Sequence, residues 1–202
     1  MKIEIKKLTP DLAEDYIHFF DVTPHDKYVD EHKCYCVCWC SADHRIETDY
    51  STAEKRRILA AQYINDGIIQ GYLAYHEDKV VGWCNANIKT DCLYCISWMR
   101  FMQSVSDIEI DPHNKVKSVF CFVIAPNMQR KGIATQLLEC VCEDAANDGF
   151  DYVEAYPRKE FIGVSSDFMG HVKMYEKFGF TETAEYDDVV VMRKALGGND
   201  VR

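Results

Sequence analysis

The chain has 202 residues, of which 48% are hydrophobic and 12% aromatic, and its formal net charge at pH 7 is −10. This length fits one domain and the apolar content is enough for a full core, so we expect one globular domain over residues 1–202. The acidic surplus excludes sequence-independent nucleic-acid binding, because a phosphate backbone would be repelled over most of the surface. It mildly favours a cationic or amine-bearing partner.

No segment is typical of membrane insertion or secretion. The longest apolar run, Val119 to Ala125, is far shorter than the roughly 18 residues of a spanning helix. The N-terminal sequence "MKIEIKKLTP" alternates charged and aliphatic residues and lacks the apolar block of a signal peptide. We therefore predict a cytoplasmic protein without a membrane partner.

The first part of the chain predicts a strand and two helices. Residues 2–8 alternate aliphatic and charged side chains, which indicates a half-buried strand. A helix follows, with Thr9 as its N-cap and Pro10 at its first helical position. The second helix begins at a capping signal at Ser51 and ends at Gly67. Residues 71–89 then predict a hairpin.

The turn of this hairpin is expected at Glu77–Lys79, with Gly82 as a bulge in the second strand.

The second half of the chain predicts a strand–helix–strand unit. Residues 117–126 form an apolar strand, 131–149 a helix that ends at a glycine, and 151–157 another strand. The two strands should be parallel, with a right-handed connection. Residues 170–180 add a short helix, and 181–196 add strands at the far edge. The predicted fold is α/β, with a mixed central β-sheet and helices on both faces.

The turn between the apolar strand and its crossover helix has the composition of an anion site. The first N–H groups of a helix have no helical partner and carry partial positive charge. Gly132 allows close approach of the backbone, Gln129, Arg130 and Lys131 supply donors, and Thr135 adds a hydroxyl. A pyrophosphate would satisfy these donors. The single glycine excludes both the Walker loop and the dinucleotide-binding loop.

Two motifs resemble those of the GCN5-related N-acetyltransferase (GNAT) superfamily. That family's motif A, V-x-P-x-x-[RQ]-x-x-G-x-[GA], binds the pyrophosphate of acetyl-CoA, and the matching residues here are Ile124, Pro126, Gln129, Gly132 and Ala134. Residues 174–180, "MYEKFGF", resemble its motif B, L-Y-E-K-x-G-F. Isoleucine replaces valine in motif A, and alanine replaces its last glycine.

The resemblance implies a GNAT-like fold with a V-shaped splay between the strand that ends at Ala125 and the strand 151–157. The pantetheine arm of acetyl-CoA, the expected co-substrate, would fill this cleft and pair with the main chain of Phe122 and Ile124. A backbone N–H at Val123 or Ile124 would polarise the thioester carbonyl. The implied pyrophosphate-binding residues are Gln129, Arg130, Lys131, Gly132, Ile133, Ala134 and Thr135.

The implied activity is acetyl-CoA-dependent N-acetyl transfer to a primary amine, by direct attack in a ternary complex. The acceptor is a small molecule or a protein or peptide amine. Tyr175 lies where the family carries the tyrosine that protonates the leaving CoA thiolate; its other interpretation is a core residue that packs on Phe178 and Phe180. The base stays open among Glu109, the nearby Asp107, Glu154 and a water relay.

Cysteines alternate in the segment 32–44, at Cys34, Cys36, Cys38 and Cys40. An extended chain would place these thiols on one side. Their spacing lacks the C-x₂₋₄-C knuckles of structural zinc sites, so we predict no metal. Trp39 and Tyr35 are expected in the wall of the acceptor pocket, with Asp43 or Glu47 attracting the ammonium. A buried loop with small thiol fillers is the alternative.

A second aromatic and cysteine-rich segment, residues 91–103, is expected to form another pocket wall or a homodimer contact. The competing function on the same fold is a non-catalytic protein that binds acyl-CoA or senses thiols or metals, and the four alternating cysteines are the best argument for it.

Overall fold

A central mixed sheet organises the molecule. The computed structural model describes residues 1–24, 29–40, 48–102, 105, 113–160, 162–163 and 167–197. Seven strands lie in the order β1-β2-β3-β4-β5-β7-β6. They are β1 (Glu4–Lys7), β2 (Gly71–His76), β3 (Lys79–Ile88), β4 (Val116–Ile124), β5 (Tyr152–Ala155), β6 (Thr181–Tyr186) and β7 (Val189–Ala195). The pair β4–β5 is parallel and the other neighbours are antiparallel, as the strand–helix–strand unit predicts.

Helices cover both faces of the sheet, which confirms the predicted α/β architecture. In the described ranges they are α1 (Ala13–Val22), α2 (Ala53–Asn65), α3 (Lys89–Cys92), α4 (Ile96–Phe101), α5 (Ile133–Asn147) and α6 (Val172–Lys177). The apolar side of α5 packs on one face of the sheet, and α1 and α2 pack on the other. None of these described helices has the length and apolar character needed to cross a membrane.

The helix starts differ slightly from the sequence predictions. A 3-10 turn, Pro10–Leu12, precedes α1, and the Thr9 side chain makes no capping hydrogen bond there. The cap of α2 is Thr52 rather than Ser51: its side chain accepts a hydrogen bond from the Lys55 N–H at 3.2 Å. Thr52 takes this role because its backbone is extended, with φ −115° and ψ 156°, as an N-cap requires.

The β2–β3 hairpin turns where predicted, but its bulge is one residue from the predicted position. Glu77 and Asp78 form the turn with φ of 50° and 60°. Register passes from Ala74 opposite Gly82 to Tyr75 opposite Val80, so the residue between Val80 and Gly82 is the extra one. Gly82 is needed for packing instead, because an added Cβ would lie 2.9 Å from the Ile124 side chain.

A second bulge, in β4, opens the sheet. Asn85 of β3 lies opposite Cys121 and Ala86 opposite Val119, which leaves Phe120 as the extra residue. Phe120 and Cys121 consequently both belong to clusters on the face opposite α5, whereas Val119 packs on the α5 face. A bulge bends its strand and increases the local twist.

The bulge is also where the two parallel strands part. Pairing of β4 with β5 runs from Val116 opposite Tyr152 to Val119 opposite Ala155. β4 continues to Ile124, so its second half no longer pairs with β5. This is the V-shaped splay that the resemblance implies.

Candidate active site

The turn from β4 into α5 presents backbone N–H groups beside open space. After the 3-10 turn Pro126–Met128, the chain reaches the N-cap of α5 at Gly132, where φ is 80°. A Cβ built on Gly132 meets no heavy atom within 4 Å, so a ligand can approach the backbone here. Arg130 is also left-handed, with φ 60°. The first N–H groups of α5 have no helical partner, so the turn can receive an anion.

The side chains of this turn divide into exposed cations and structural anchors. Arg130 and Lys131 are exposed. Gln129 donates from Nε2 to the Ile124 carbonyl at 3.3 Å, which ties the turn to β4. Ile133 is only 2% exposed and lies in the core under α5, so it offers a ligand its backbone rather than its side chain. The remaining predicted contacts, Ala134 and Thr135, are half-buried in the first turn.

The backbone N–H groups near the end of β4 point alternately toward β3 and toward the splay, so only some of the predicted main-chain contacts are available to a ligand. The Ala125 N–H donates to the Val81 carbonyl of β3 at 2.9 Å. Alternation along the strand gives the Val123 amide the same direction, toward β3, and gives Phe122 and Ile124 the opposite direction, toward the splay. The Phe122 N–H is already used, since it donates to the Phe168 carbonyl at 2.7 Å. Of the two amides predicted to polarise a thioester, only that of Ile124 faces the splay.

Tyr175 on α6 is completely buried. Its hydroxyl donates to the Met169 carbonyl at 2.6 Å, and its ring meets that of Phe180 at a centroid distance of 5.2 Å. Burial raises the pKa of Tyr175 well above its usual value, so the hydroxyl stays protonated at neutral pH. The ring therefore belongs to the core, as the second sequence interpretation expects, and the hydroxyl is held by the Met169 backbone; the role of Tyr175 as an acid stays a prediction.

One segment, residues 167–170, which we call the strap, contacts both β4 and Tyr175. The Phe168 carbonyl accepts the hydrogen bond from the Phe122 N–H, and the Met169 carbonyl accepts that from the Tyr175 hydroxyl. Asp167 anchors it, because its carboxylate accepts from the N–H groups of Ile162 at 2.9 Å and Gly163 at 2.7 Å. At Gly170, φ is 86° and an added Cβ would lie 3.0 Å from the Tyr175 hydroxyl. The strap thus sets the position of that hydroxyl.

Glu154 is buried in a network of donors rather than exposed to a substrate. Its Oε1 accepts from Lys89 Nζ at 2.5 Å and from the Tyr156 hydroxyl at 2.7 Å, and its Oε2 accepts from Arg193 Nε at 2.8 Å. Burial alone raises the pKa of Glu154, but Lys89, Tyr156 and Arg193 outweigh burial and lower it. An ionised carboxylate held in this way is poorly suited to accept a proton from an amine, so the geometry argues against Glu154 as the base.

Four carboxylates named from the sequence lie outside the described residues. They are the base candidates Glu109 and Asp107 and the ammonium-attracting candidates Asp43 and Glu47. Their roles stay predictions.

Aromatic rings gather on the face opposite α5, beside the β4 bulge. Trp39 stacks on Phe120 with a centroid distance of 5.3 Å and an interplanar angle of 13°. The rings of Phe101 and Phe168 lie 6.2 Å and 6.3 Å from Trp39. We call Trp39, Phe101 and Phe168 the aromatic wall. The sequence pointed to Trp39 and, through the segment 91–103, to the region of Phe101.

Two details of this region differ from the sequence prediction. Tyr35, expected beside Trp39, is 3% exposed and turns away, with its hydroxyl donating to Asp21 Oδ1 at 2.8 Å. The second is Phe168, which the sequence analysis did not predict as part of the pocket wall. No local pattern marks it as an aromatic contact, because its neighbours Trp39 and Phe122 are distant in sequence.

The alternating cysteines do not form an extended strand, so the prediction of four thiols on one side is wrong. Tyr35 and Cys36 are left-handed, with φ of 47° and 51°, and a 3-10 turn follows. Cys36 and Cys40 are consequently buried, while the other two are half-buried. Cys36 Sγ accepts from Trp83 Nε1 at 3.3 Å. The thiols act here as small buried fillers.

Three of these thiols, those of Cys36, Cys38 and Cys40, have a raised pKa and are protonated at neutral pH. A hydrogen bond with Cys121, together with burial, raises the pKa of Cys36 well above its usual value, and burial raises that of Cys38 to about 11. The ten cysteines all lie in described parts of the chain, and none of them forms a disulfide bond. Within the described parts of the chain, no group of three or more His, Cys, Asp or Glu side chains could hold a metal ion.

Sequence comparison identifies the family. The acetyltransferase (GNAT) family model matches residues 11–180, which is most of the chain, so the protein belongs to the GNAT family of acetyltransferases. The comparison with curated protein sequences gave no match.

Solved structures with the same fold agree with this assignment. Polyamine N-acetyltransferase from Drosophila melanogaster, which forms N-acetylagmatine, is 12% identical with a TM-score of 0.58, over 96% of this chain and 100% of that one. PaiA N-acetyltransferase from Thermoplasma acidophilum, in complex with coenzyme A, is 15% identical with a TM-score of 0.52, over 96% and 99%. The ribosomal-protein-S18-alanine N-acetyltransferase from Escherichia coli is 12% identical with a TM-score of 0.52, over 100% and 99%. At these identities the similarity shows the fold alone.

Proposed function

We propose that this protein transfers an acetyl group from acetyl-CoA to a primary amine by direct attack in a ternary complex. The observation that carries the proposal is the open turn at Gly132, which presents helix N–H groups at the end of the strand where β4 leaves β5. A diphosphate bound there leads its pantetheine arm toward the splay. The coenzyme A complex of the Thermoplasma relative supports the same cofactor.

The cofactor would be held mainly by backbone groups. The N–H groups of residues 130–134 point at the pyrophosphate, with the exposed Arg130 and Lys131 adding positive charge. Pantetheine lies along the open edge of β4 near Ile124. The Ile124 N–H, which faces the splay, is placed to polarise the thioester carbonyl.

The chemistry needs few protein groups. The amine nitrogen attacks the thioester carbon, negative charge develops on the carbonyl oxygen, and the C–S bond breaks to leave a thiolate. Tyr175 donates its proton toward that sulfur, and to do so its hydroxyl must leave the Met169 carbonyl. The attacking amine loses its proton to another acceptor, for which Glu109 or a water stays our prediction.

The acceptor would approach from the face opposite the cofactor phosphates. The pyrophosphate turn belongs to α5, on one face of the sheet, whereas the aromatic wall lies on the other face beside the bulge. Access from the two faces permits a ternary complex. Amines of very different size are acted on by the Drosophila and Escherichia coli relatives, a polyamine and a ribosomal protein, so the fold alone does not select the acceptor.

The test is calorimetry of acetyl-CoA binding, followed by a thiol-release assay over an amine panel. We expect micromolar binding of acetyl-CoA, and CoA release that depends on an added amine. Absence of acetyl-CoA binding would overturn the proposal. Binding with no release for any small-molecule or peptide amine would overturn the transferase part and leave a cofactor-binding protein.

A further inference from the structure

We propose that the amine acceptor carries an aromatic ring and that the aromatic wall of Trp39, Phe101 and Phe168 binds it. This inference rests on the proposed acetyl transfer and concerns the acceptor side of the same site. It predicts an arylalkylamine rather than a polyamine or a simple aliphatic amine.

The wall lies directly beside the reaction strand. The Phe168 carbonyl accepts the Phe122 N–H at 2.7 Å, so the Phe168 residue is in contact with β4 within the splay. Trp39 lies 6.3 Å from the Phe168 ring and stacks on Phe120, the residue that bulges from β4. An amine held against these rings would lie beside β4, on the face of the sheet opposite α5.

Within the aromatic wall, Trp39 is buried and held in place by its neighbours, whereas Phe101 and Phe168 are accessible. Trp39 is 6% exposed and is held between Phe120 and Phe101. Phe101 is 57% exposed and Phe168 is half-buried, so both offer ring surface to a ligand. Aromatic rings prefer offset or edge-to-face contact at centroid distances of about 4.5–7 Å, and a ligand ring can join such a set without moving it.

Among the described residues, the charges around the wall favour an apolar ligand over a polycation. The Arg100 guanidinium lies 5.1 Å from the Phe101 ring centroid, so it would repel a second ammonium group. Two buried carboxylates of this region are already paired: Asp167 with the N–H groups of residues 162 and 163, and Glu154 with Lys89 and Arg193. Neither is free to bind the additional charge of a polyamine.

The first experiment compares kcat/KM for phenylethylamine and tryptamine with hexylamine and spermidine at saturating acetyl-CoA. We expect the two aromatic amines to exceed both others by about tenfold or more, the factor that a ring–ring contact of about 1.4 kcal/mol supplies. Equal or better turnover of hexylamine or spermidine would overturn the inference while leaving acetyl transfer intact.

The second experiment uses Phe101→Ala, with Tyr94→Ala as the matched control. Tyr94 is 58% exposed, close to the 57% of Phe101, and the structure records no ring contact between Tyr94 and Trp39. We expect Phe101→Ala to raise KM for phenylethylamine about fivefold to tenfold, with kcat and the KM for acetyl-CoA within twofold of wild type. Phe101→Leu should restore only part of the loss, and Tyr94→Ala should change none of these constants.

Several results would count against the aromatic acceptor. An unchanged KM in Phe101→Ala would remove the wall from acceptor binding, and an equal rise for hexylamine would show general apolar contact only. If acetyl-CoA binds but no aromatic amine releases CoA, the inference fails on its own. If acetyl-CoA does not bind, the proposed function itself has failed, and calorimetry separates this case from the others.

Discussion

Tyr175 shows how one residue can serve both the core and the proposed chemistry. Its ring is fully buried against Phe180, and its hydroxyl reaches the Met169 carbonyl of the strap. Burial keeps the hydroxyl protonated through the raised pKa. The same burial makes complete loss of the proton costly, so the tyrosine is suited to stabilise a newly formed thiolate by donating a hydrogen bond to its sulfur.

We predict the effect of Tyr175→Phe on turnover, on acetyl-CoA affinity and on the free energy of unfolding. Turnover should fall by about 100-fold, the contribution typical of a positioned proton donor, while acetyl-CoA affinity stays within twofold of wild type. The free energy of unfolding should fall by about 1–3 kcal/mol, because the buried Met169 carbonyl loses its donor. Steady-state kinetics, calorimetry and urea unfolding measure the three quantities.

Tyr16→Phe is the matched control for this variant. Tyr16 is also fully buried, and its hydroxyl donates to the Tyr35 carbonyl at 2.8 Å. It should lose similar stability with normal turnover. If the two variants had the same kcat, Tyr175 would have only a structural role.

The elements that frame the site are short segments fixed by glycines in special conformations. At the N-terminus of α5, Gly132 combines a left-handed φ of 80° with open space above its Cα. In the strap, Gly170 has a φ of 86° but no space, because the side chains of Met174 and Tyr175 lie against it. The first glycine admits a ligand and the second positions a side chain, so their substitutions have different consequences.

We predict that Gly132→Glu weakens acetyl-CoA binding at least about 100-fold, since it places bulk and negative charge at the proposed pyrophosphate site. Gly149→Glu is the matched control, because Gly149 has a similar φ of 73° and also no neighbour within 4 Å. Both variants should lose about 1–2 kcal/mol of stability from the left-handed backbone. Calorimetry with acetyl-CoA checks the prediction. Equal affinities of the two variants would show that the pyrophosphate does not bind at this turn.

We predict that Gly170→Ala lowers kcat, because the added methyl displaces the Tyr175 hydroxyl. Gly179→Ala is the control: its φ is 77° and no atom lies within 4 Å of the added Cβ, so it introduces backbone strain alone. Strain should cost each variant about 1–3 kcal/mol, measured by thermal unfolding. Only the strap variant should lose turnover, and a loss of turnover in both would assign the effect to general destabilisation.

For the whole molecule, the buried ionic network joins distant parts of the sheet. Lys89 follows β3, Glu154 lies on β5 and Arg193 lies on β7. Lys89 and Arg193 both form ion pairs with the fully buried carboxylate of Glu154. Because the pKa of Glu154 is lowered in the folded state, its contribution to stability is complete above the ordinary glutamate pKa of about 4.3. That contribution is lost as the pH falls through the lower, folded-state pKa.

We therefore predict that Glu154→Gln costs about 3–5 kcal/mol in the free energy of unfolding at pH 7, since Lys89 and Arg193 are left without a counter-charge. The difference from wild type should shrink below about pH 4, where wild type also loses the ionised carboxylate. Urea unfolding between pH 3 and pH 7 measures it. Asp148→Asn, which breaks the exposed pair with Lys7, should leave the midpoint nearly unchanged. A difference that is independent of pH would contradict the ionic role of Glu154.

The amino-acid sequence was enough to predict the parallel strands of the crossover unit, the helix that follows Gly132 and the concentration of hydrogen-bond donors in that turn. These features depend on neighbours in the chain: apolar runs, one glycine and the free N–H groups of a helix end. The capping error at Ser51 is small for the same reason, because the competing residue, Thr52, is adjacent.

Features that depend on residues far apart in the chain became visible only in the folded structure. The sequence made Glu154 a candidate base, but in the folded protein its carboxylate is hydrogen-bonded to Lys89 and Arg193. Phe168 belongs to the aromatic wall because it contacts Trp39 and Phe122, which are distant in the sequence. The left-handed residues before Val37 break the extended conformation, so the alternating cysteines do not lie on one side of a strand. Contacts between segments far apart in the chain have no local signature, because their free energy comes from burial and pairing that exist only after folding.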